Sequence, residues 1–212
     1  VRFDRPVTRT RETIEIIRTI SSGQRLRHDG EVFQLPLPGG EGRALRSAAA
    51  PVHVPIHVAS LGPANLRLTG ELADGWIGNS FLCEHASVFF DEIAEGAALS
   101  GRSLADLDLT VAVSCELSDD VDEAGRRHAD GYAFTFGAMG SARTNFYNRA
   151  FERQGFGDAV AEVQRLWLAG DHAAARRAVP VEIGLRTNLI GPPDEVRRRL
   201  RASVAAPQGN PP

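Results

Sequence analysis

Apolar and polar positions follow two different rhythms along this chain. Ile14, Ile17 and Ile20, with Ile16 beside them, fall at helical spacing and predict a helix from about Thr8 to Ser22, with Gly23 as its stop. His28 to Leu35 reads as a short extended excursion around the turn signal Asp29-Gly30. Residues 36–51, rich in Pro, Gly and Ala, read as loop. Compact apolar runs then alternate with helical ones. Val54–Ala59 is a strand, and Ala64–Ala73 is a short helix with Leu66, Thr69, Leu72 and Ala73 on or near one face. Trp76–Asn79 is a second strand. Glu84–Ser100 is a helix with Val88, Phe89, Ile93 and Ala97 inward, and Leu107–Leu117 is a third strand centred on VAVSC. Strand-helix-strand alternation predicts an α/β fold with parallel pairing and right-handed crossovers.

The last third reads as mostly helical. Asp119-Asp120 can cap a helix to about Phe136, followed by Ala142–Gln154, Asp158–Leu168 and Asp171–Ala178. Gly191-Pro192-Pro193-Asp194 opens an Arg-rich helix to about Val204, with Pro near its first turn. The closing APQGNPP cannot form a strand, and no internal repeat is visible.

Composition narrows the function classes. The 212 residues suffice for one sizeable core, and 42% hydrophobic with 24% charged residues is ordinary for a globular chain. A net charge of −3 gives no broad pull toward nucleic acid. All 24 basic residues are Arg, so no mechanism can use a lysine amine as a Schiff base. Cys83 and Cys115 lie far apart without metal-ligand spacing, which fits a reducing, cytoplasmic setting. No apolar run approaches the roughly 20 residues of a membrane span, and VRFDRPVTRTRE has no apolar signal core.

The stretch HVASLGPANLRLTGELADGWIGN at 57–79 carries the candidate chemistry. Its Gly-Pro corner lies where a strand hands over to a helix, at the carboxyl strand end where parallel α/β proteins bind ligands. Gly62 lets an anion approach the backbone, Pro63 suits the first helical turn, and the following N–H groups and helix dipole favour negative charge. Asn79 and Ser80 can donate from the next strand end. The same pattern also serves simply to turn a corner, and Asp74-Gly75 reads best as a helix stop.

Other residues carry weaker signals. His57 reads as a packed core histidine, and Cys115 as a small buried hydrophobe. Glu84 and His85 read as loop residues that could face substrate, and Glu116 as an acid or base with no identifiable partner. Arg143, Asn145, Phe146 and Tyr147 read as a packing patch or a substrate lid, and RRRLR at 197–201 as a solvated helix face. No Ser-His-Asp set, P-loop or metal cluster is defensible, so catalytic residues stay unassigned and no metal site is expected.

PIHVASLGPANLRLTGELADGWIGNSF resembles the luciferase-like flavin and deazaflavin oxidoreductases, and more narrowly their coenzyme F420-dependent branch, similar to methylenetetrahydromethanopterin reductase. RPVTRTRETIEIIRTISSG, FGAMGSARTNFYNRAFERQGFGDAVAEVQRLWLAGD and VPVEIGLRTNLIGPPDEVRRRL extend the resemblance to about residue 200. It implies part of a TIM-type (β/α)8 barrel with a helical insertion. On that basis residues 1–53 are helix and loop, 54–117 β/α units, 118–180 the insertion, and 181–212 a final helix and tail. It implies hydride transfer between a deazaflavin and a small organic substrate. Ala59, Ser60, Leu61, Gly62 and Pro63 would line the cofactor's phosphate-bearing tail, with Asn79 and Ser80 contacting it from the next strand. Family members carry about a hundred residues before the match to VRFDRP, roughly half a barrel, and continue into a last strand. The expectation is therefore a fragment of the fold, with FMN as the alternative cofactor, an inactive truncated remnant as the alternative to an enzyme, and a homodimer as a possible assembly.

Overall fold

The computed structural model describes residues 4–40, 42–79, 81–141 and 144–205. Helix α1 (Pro6–Ser21) starts slightly earlier than the spacing predicts, because Pro6 can occupy the first turn after Arg5 has turned the chain at φ 52°. Gly23, at φ +76°, lets the chain leave the helix in the left-handed region. The predicted excursion is a small antiparallel hairpin of β1 (His28–Asp29) and β2 (Gln34–Leu35). A buried carboxylate joins it to α1. Glu12 accepts the N–H groups of Glu31 at 2.8 Å, of Val32 at 3.1 and 3.2 Å, and of Phe33 at 2.7 Å. A Cβ on Gly30 would lie 2.4 Å from this carboxylate, so the turn closes on Glu12 only with glycine there.

Three short parallel strands follow, β3 (His57–Val58), β4 (Gly75–Gly78) and β5 (Asp108–Val111), in that spatial order. Helix α2 (Pro63–Leu72) crosses from β3 to β4. A single 3-10 turn (Cys83–His85) and helix α3 (Ser87–Leu99) cross from β4 to β5. The predicted third strand, Leu107–Leu117, is two: β5 pairs with β4, whereas β6 (Cys115–Leu117) pairs in parallel with β7 (Leu189–Gly191). The division has a physical cause. β4 offers partners only as far as the Gly78 carbonyl, which accepts from Ala112, while β7 begins where Leu189 donates to the Ser114 carbonyl. The chain thus passes from one neighbour to the other along its length, the stagger expected of tilted strands in a barrel-type sheet. Among the described residues the sheet does not close.

One face of this sheet holds the first core. Trp76 is fully buried against Phe81, Phe89 and Phe90, with Leu66 and Ile93 in the same cluster. Helices α2 and α3 cross at backbone contact. A Cβ on Gly70 would lie 1.9 Å from the Ile93 carbonyl, and one on Gly96 1.9 Å from that of Arg67. The guanidinium of Arg102 closes the far end of α2 by donating to the carbonyls of Gly70 and Ala73. On the opposite face Ile77 is exposed, and His57 reaches over Gly75 to place Nε2 2.8 Å from Asp108 Oδ2.

Between β6 and β7 the chain makes a helical excursion with its own core around Phe136, Phe151, Val160, Val163 and Ile183. Asp120 caps α4 (Val121–Asp130) by accepting the Glu123 N–H at 3.0 Å. The predicted helix to Phe136 breaks at Gly131, and α5 (Tyr132–Ala138) continues it. Asn145 delays the next predicted helix. Its side chain caps α6 (Phe146–Phe151), so nothing upstream of it joins that helix. A π turn (Glu152–Phe156), α7 (Gly157–Leu168) and α8 (His172–Ala178) follow. Helix α9 (Val181–Arg186) and β7 escaped the sequence reading because each is too short to show a period; α10 (Pro193–Ala205) closes the described chain.

Two substitutions test this framework. Gly96→Ala should lower stability by about 1–3 kcal/mol through overpacking, read as a lower denaturant midpoint at unchanged slope. Burial pushes the Glu12 carboxyl up, but the N–H groups of Phe33, Val32 and Glu31 outweigh it, so its pKa falls below the ordinary 4.5. Because the folded value is the depressed one, the stability Glu12 contributes is complete above 4.5 and is lost as pH falls through that lower folded value. Glu12→Gln should therefore cost about 1–3 kcal/mol at neutral pH and flatten the acid side of the stability profile.

Candidate functional site

The corner between β3 and α2 is built on a short relay of buried hydrogen bonds. The Trp76 indole donates to the Ser60 carbonyl at 2.9 Å. Thr69 donates its hydroxyl proton to the Asn65 carbonyl at 2.7 Å, which leaves its oxygen to accept from Ser60 Oγ at 3.0 Å. Ser60, 4% exposed, therefore has its side chain turned into the protein with its hydroxyl occupied, so that what it offers at the corner is backbone. Gly62 precedes Pro63 in extended conformation (φ −85°, ψ 145°), and no side chain caps the helix. The first-turn N–H groups thus have no partner within the helix. A Cβ on Gly62 would meet no atom within 4 Å, so the space over this corner is open.

The second corner lies beside the first. β3 and β4 run parallel with His57 opposite Gly75 and Val58 opposite Trp76, and this register, continued, sets Leu61 level with Asn79. Asn79 is exposed; Ser80 lies outside the described residues. Phe81 and Leu82 then turn inward and are buried. Gly62 and Asn79 therefore lie at the carboxyl ends of adjacent strands.

Two consecutive residues that the sequence reading did not single out reach this edge from the helical excursion. Arg153 donates Nη2 to the Leu61 carbonyl, and Gln154, 1% exposed, accepts the Leu82 N–H at 3.0 Å and donates to the Ala150 carbonyl. Burial lowers the Arg153 pKa, and the carboxylates of Glu92 and Glu152 offset this only in part. Nothing in FERQGF signals these contacts, because they depend on chain segments more than 70 residues away.

The remaining sequence candidates lie apart from the two corners or have structural partners. His57 sits at the amino end of β3, opposite the corners. Cys115 is exposed, contrary to the buried position expected, because β6 turns it to the uncovered face. Glu116 does have partners: His128 at 2.9 Å and Arg127 hold its carboxyl below the ordinary range, an ion-pair cluster and no poised acid. Glu84 pairs with Arg186 at 3.2 Å. Asn145 caps α6 and donates to the Thr135 and Phe136 carbonyls, Phe146 is exposed and Tyr147 half-buried; Arg143 lies outside the described residues. Arg197 and Arg198 pair with Asp194 and Glu195 one turn back. A large cleft lined by Arg18, His53, Val54 and Asp74 opens at the amino side of the sheet, away from the corners. Among the described residues no group of three or more His, Cys, Asp or Glu could hold a metal, and no helix is long and apolar enough to cross a membrane.

Comparison with known proteins bears on the family and the fold. The family model described as luciferase-like monooxygenase matches residues 1–207. A Mycobacterium tuberculosis protein described as a coenzyme F420-dependent oxidoreductase is 30% identical over 97% of this chain and 62% of its own length. The 5,10-methylenetetrahydromethanopterin reductase of Archaeoglobus fulgidus is 28% identical over 94% of this chain and 58% of its own. The structure of the coenzyme F420-dependent tetrahydromethanopterin reductase of Methanopyrus kandleri superposes with a TM-score of 0.73 at 24% identity, covering 95% of this chain and 55% of that one. That likeness establishes the α/β fold of luciferase-like, TIM-barrel-type reductases. The chain thus spans roughly 60% of the length of the curated relatives it matches.

Trp76→Phe isolates the relay. It leaves the Ser60 carbonyl buried without its donor, at a cost of about 1–3 kcal/mol. The expected result is a lower denaturant midpoint together with faster amide exchange at Leu61 and Gly62 than elsewhere in the sheet.

Proposed function

The chain belongs to the luciferase-like monooxygenase family, and from that membership we propose that it forms the phosphate-binding part of a coenzyme F420-dependent oxidoreductase acting on a small organic substrate. The observation that carries the reading is the open, uncapped start of α2 at Gly62, one residue past Leu61, which stands level with Asn79 just beyond the neighbouring strand. Descriptions of two relatives, the Mycobacterium tuberculosis oxidoreductase and a glucose-6-phosphate dehydrogenase, name coenzyme F420, whose tail is anionic, and the chemistry of this corner suits such a group.

In this reading Ala59, Ser60, Leu61, Gly62 and Pro63 present backbone to the tail of the coenzyme, and Asn79 and Ser80 add side-chain donors. When bound, the coenzyme supplies hydride chemistry at its ring; the chain supplies position and electrostatics. Gly62 admits the anion because no side chain stands in the way. The amides at the start of α2 stabilise negative charge without reorganising, since the helix already fixes them. Ser60 acts one step back: through Trp76 and Thr69 it holds the corner in the conformation that exposes those amides.

Gly62→Asp separates binding from folding. The backbone at Gly62 suits a capping residue, so an aspartate there can accept the first-turn N–H groups and keep or raise the melting temperature. The same carboxylate fills the corner with negative charge. Titration of the chain with coenzyme F420, followed by fluorescence, should show saturable binding that Gly62→Asp weakens by more than about 10-fold. Unchanged binding in Gly62→Asp would remove the corner from the site, and tight binding of FMN without any response to F420 would replace the deazaflavin reading.

A further inference from the structure

We infer that Arg153 is a direct anion-pairing residue of the Gly62 corner, delivered to it by the π turn of the helical excursion; this rests on the phosphate-binding reading above. The side chain arrives from 92 residues away and donates to the carbonyl of Leu61, the residue next to Gly62. Its Nε is buried and donates to nothing, and among the described residues Arg153 makes no ion pair. The nearest carboxylates, Glu92 and Glu152, act on it only at longer range.

The charge arrangement gives this contact a meaning beyond structure. The start of α2 carries the positive end of the helix dipole, and Arg153 adds a half-buried cation beside it. Two positive groups at one corner repel each other while the corner is empty. A structural clamp on a carbonyl would work as well with a neutral donor and would avoid that repulsion. An anion at Gly62 converts both groups into partners, and a guanidinium keeps further N–H groups for it after Leu61 has taken one.

The π turn fixes the delivery. Gly155, at φ +89°, breaks the helical path between α6 and α7. Gln154 anchors the turn through the Leu82 N–H, just past the second corner. Arg153 and Gln154 therefore tie the excursion to both corners, and Gln154 is a positioning residue for its neighbour.

Arg153→Met keeps an extended apolar side chain and removes charge and donors; Arg153→Lys keeps the charge. Both are compared with the unaltered 212-residue chain by thermal melting and by titration with coenzyme F420 and with inorganic phosphate at several salt concentrations. The expected result is a Met variant that melts with the parent, binds F420 and phosphate about 10-fold or more weakly, and shows a flatter salt dependence. The Lys variant should stay within about three-fold of the parent. A Met variant that binds like the parent, or a Lys variant as weak as the Met variant, overturns the assignment. If the Met variant does not fold, the Lys variant decides by the same three-fold limit. Failure of the unaltered chain to bind F420, FMN or phosphate overturns the underlying reading itself, a different result from binding that ignores Arg153.

Discussion

Everything at the carboxyl edge of the sheet depends on Trp76. Its indole ring fills the first core among Phe81, Phe89 and Phe90, and its one polar atom is spent on the Ser60 carbonyl. A buried indole N–H needs an acceptor, and here that need fixes the corner. Since Trp76 stands on β4 and Ser60 follows β3, the bond also locks the two strands level beyond their short ladder. The conformation of Gly62, the exposure of the α2 amides and the alignment with Asn79 follow from that one placement.

The helical excursion has a second role besides its own core. Its capping asparagine, Asn145, sets where α6 starts, and α6 sets where the π turn falls. That turn then touches the loops after β3 and after β4 through adjacent residues. An excursion separated from the corners by a long stretch of sequence is thereby part of their geometry. Asn145, within the stretch SARTNFYN, has a physical account in this way: among the described residues its side chain accepts from Tyr147 and Asn148 and donates to Thr135 and Phe136, all structural contacts.

Much of the fold could be read from periodicity. α1, α2, α3 and α7 have enough turns for Ile14, Leu66, Ile93 and Val163 to repeat, and β4 announces itself by Trp76 and Ile77 after Asp-Gly. The failures have equally local causes. A continuous run at 107–117 says nothing about a change of pairing partner, which the lengths of β4 and β7 decide. Cys115 looked buried because free cysteine is among the most often buried residue types, yet β6 faces it outward. At the corner, the turn from strand to helix could be read because Pro63 suits the first helical turn. The inward hydrogen bond of Ser60 and the reach of Arg153 to Leu61 could not be read, because their partners Thr69, Trp76 and Leu61 are set by tertiary packing.

The crossing of α2 and α3 through Gly70 and Gly96 bears on how this region moves. With backbone against backbone, neither helix can slide or roll without a collision of main-chain atoms. The two helices therefore travel as one plank, with the Trp76 cluster as its underside. The start of α2, with Gly62 at its head, is therefore seated on a two-helix unit that shifts only as a whole.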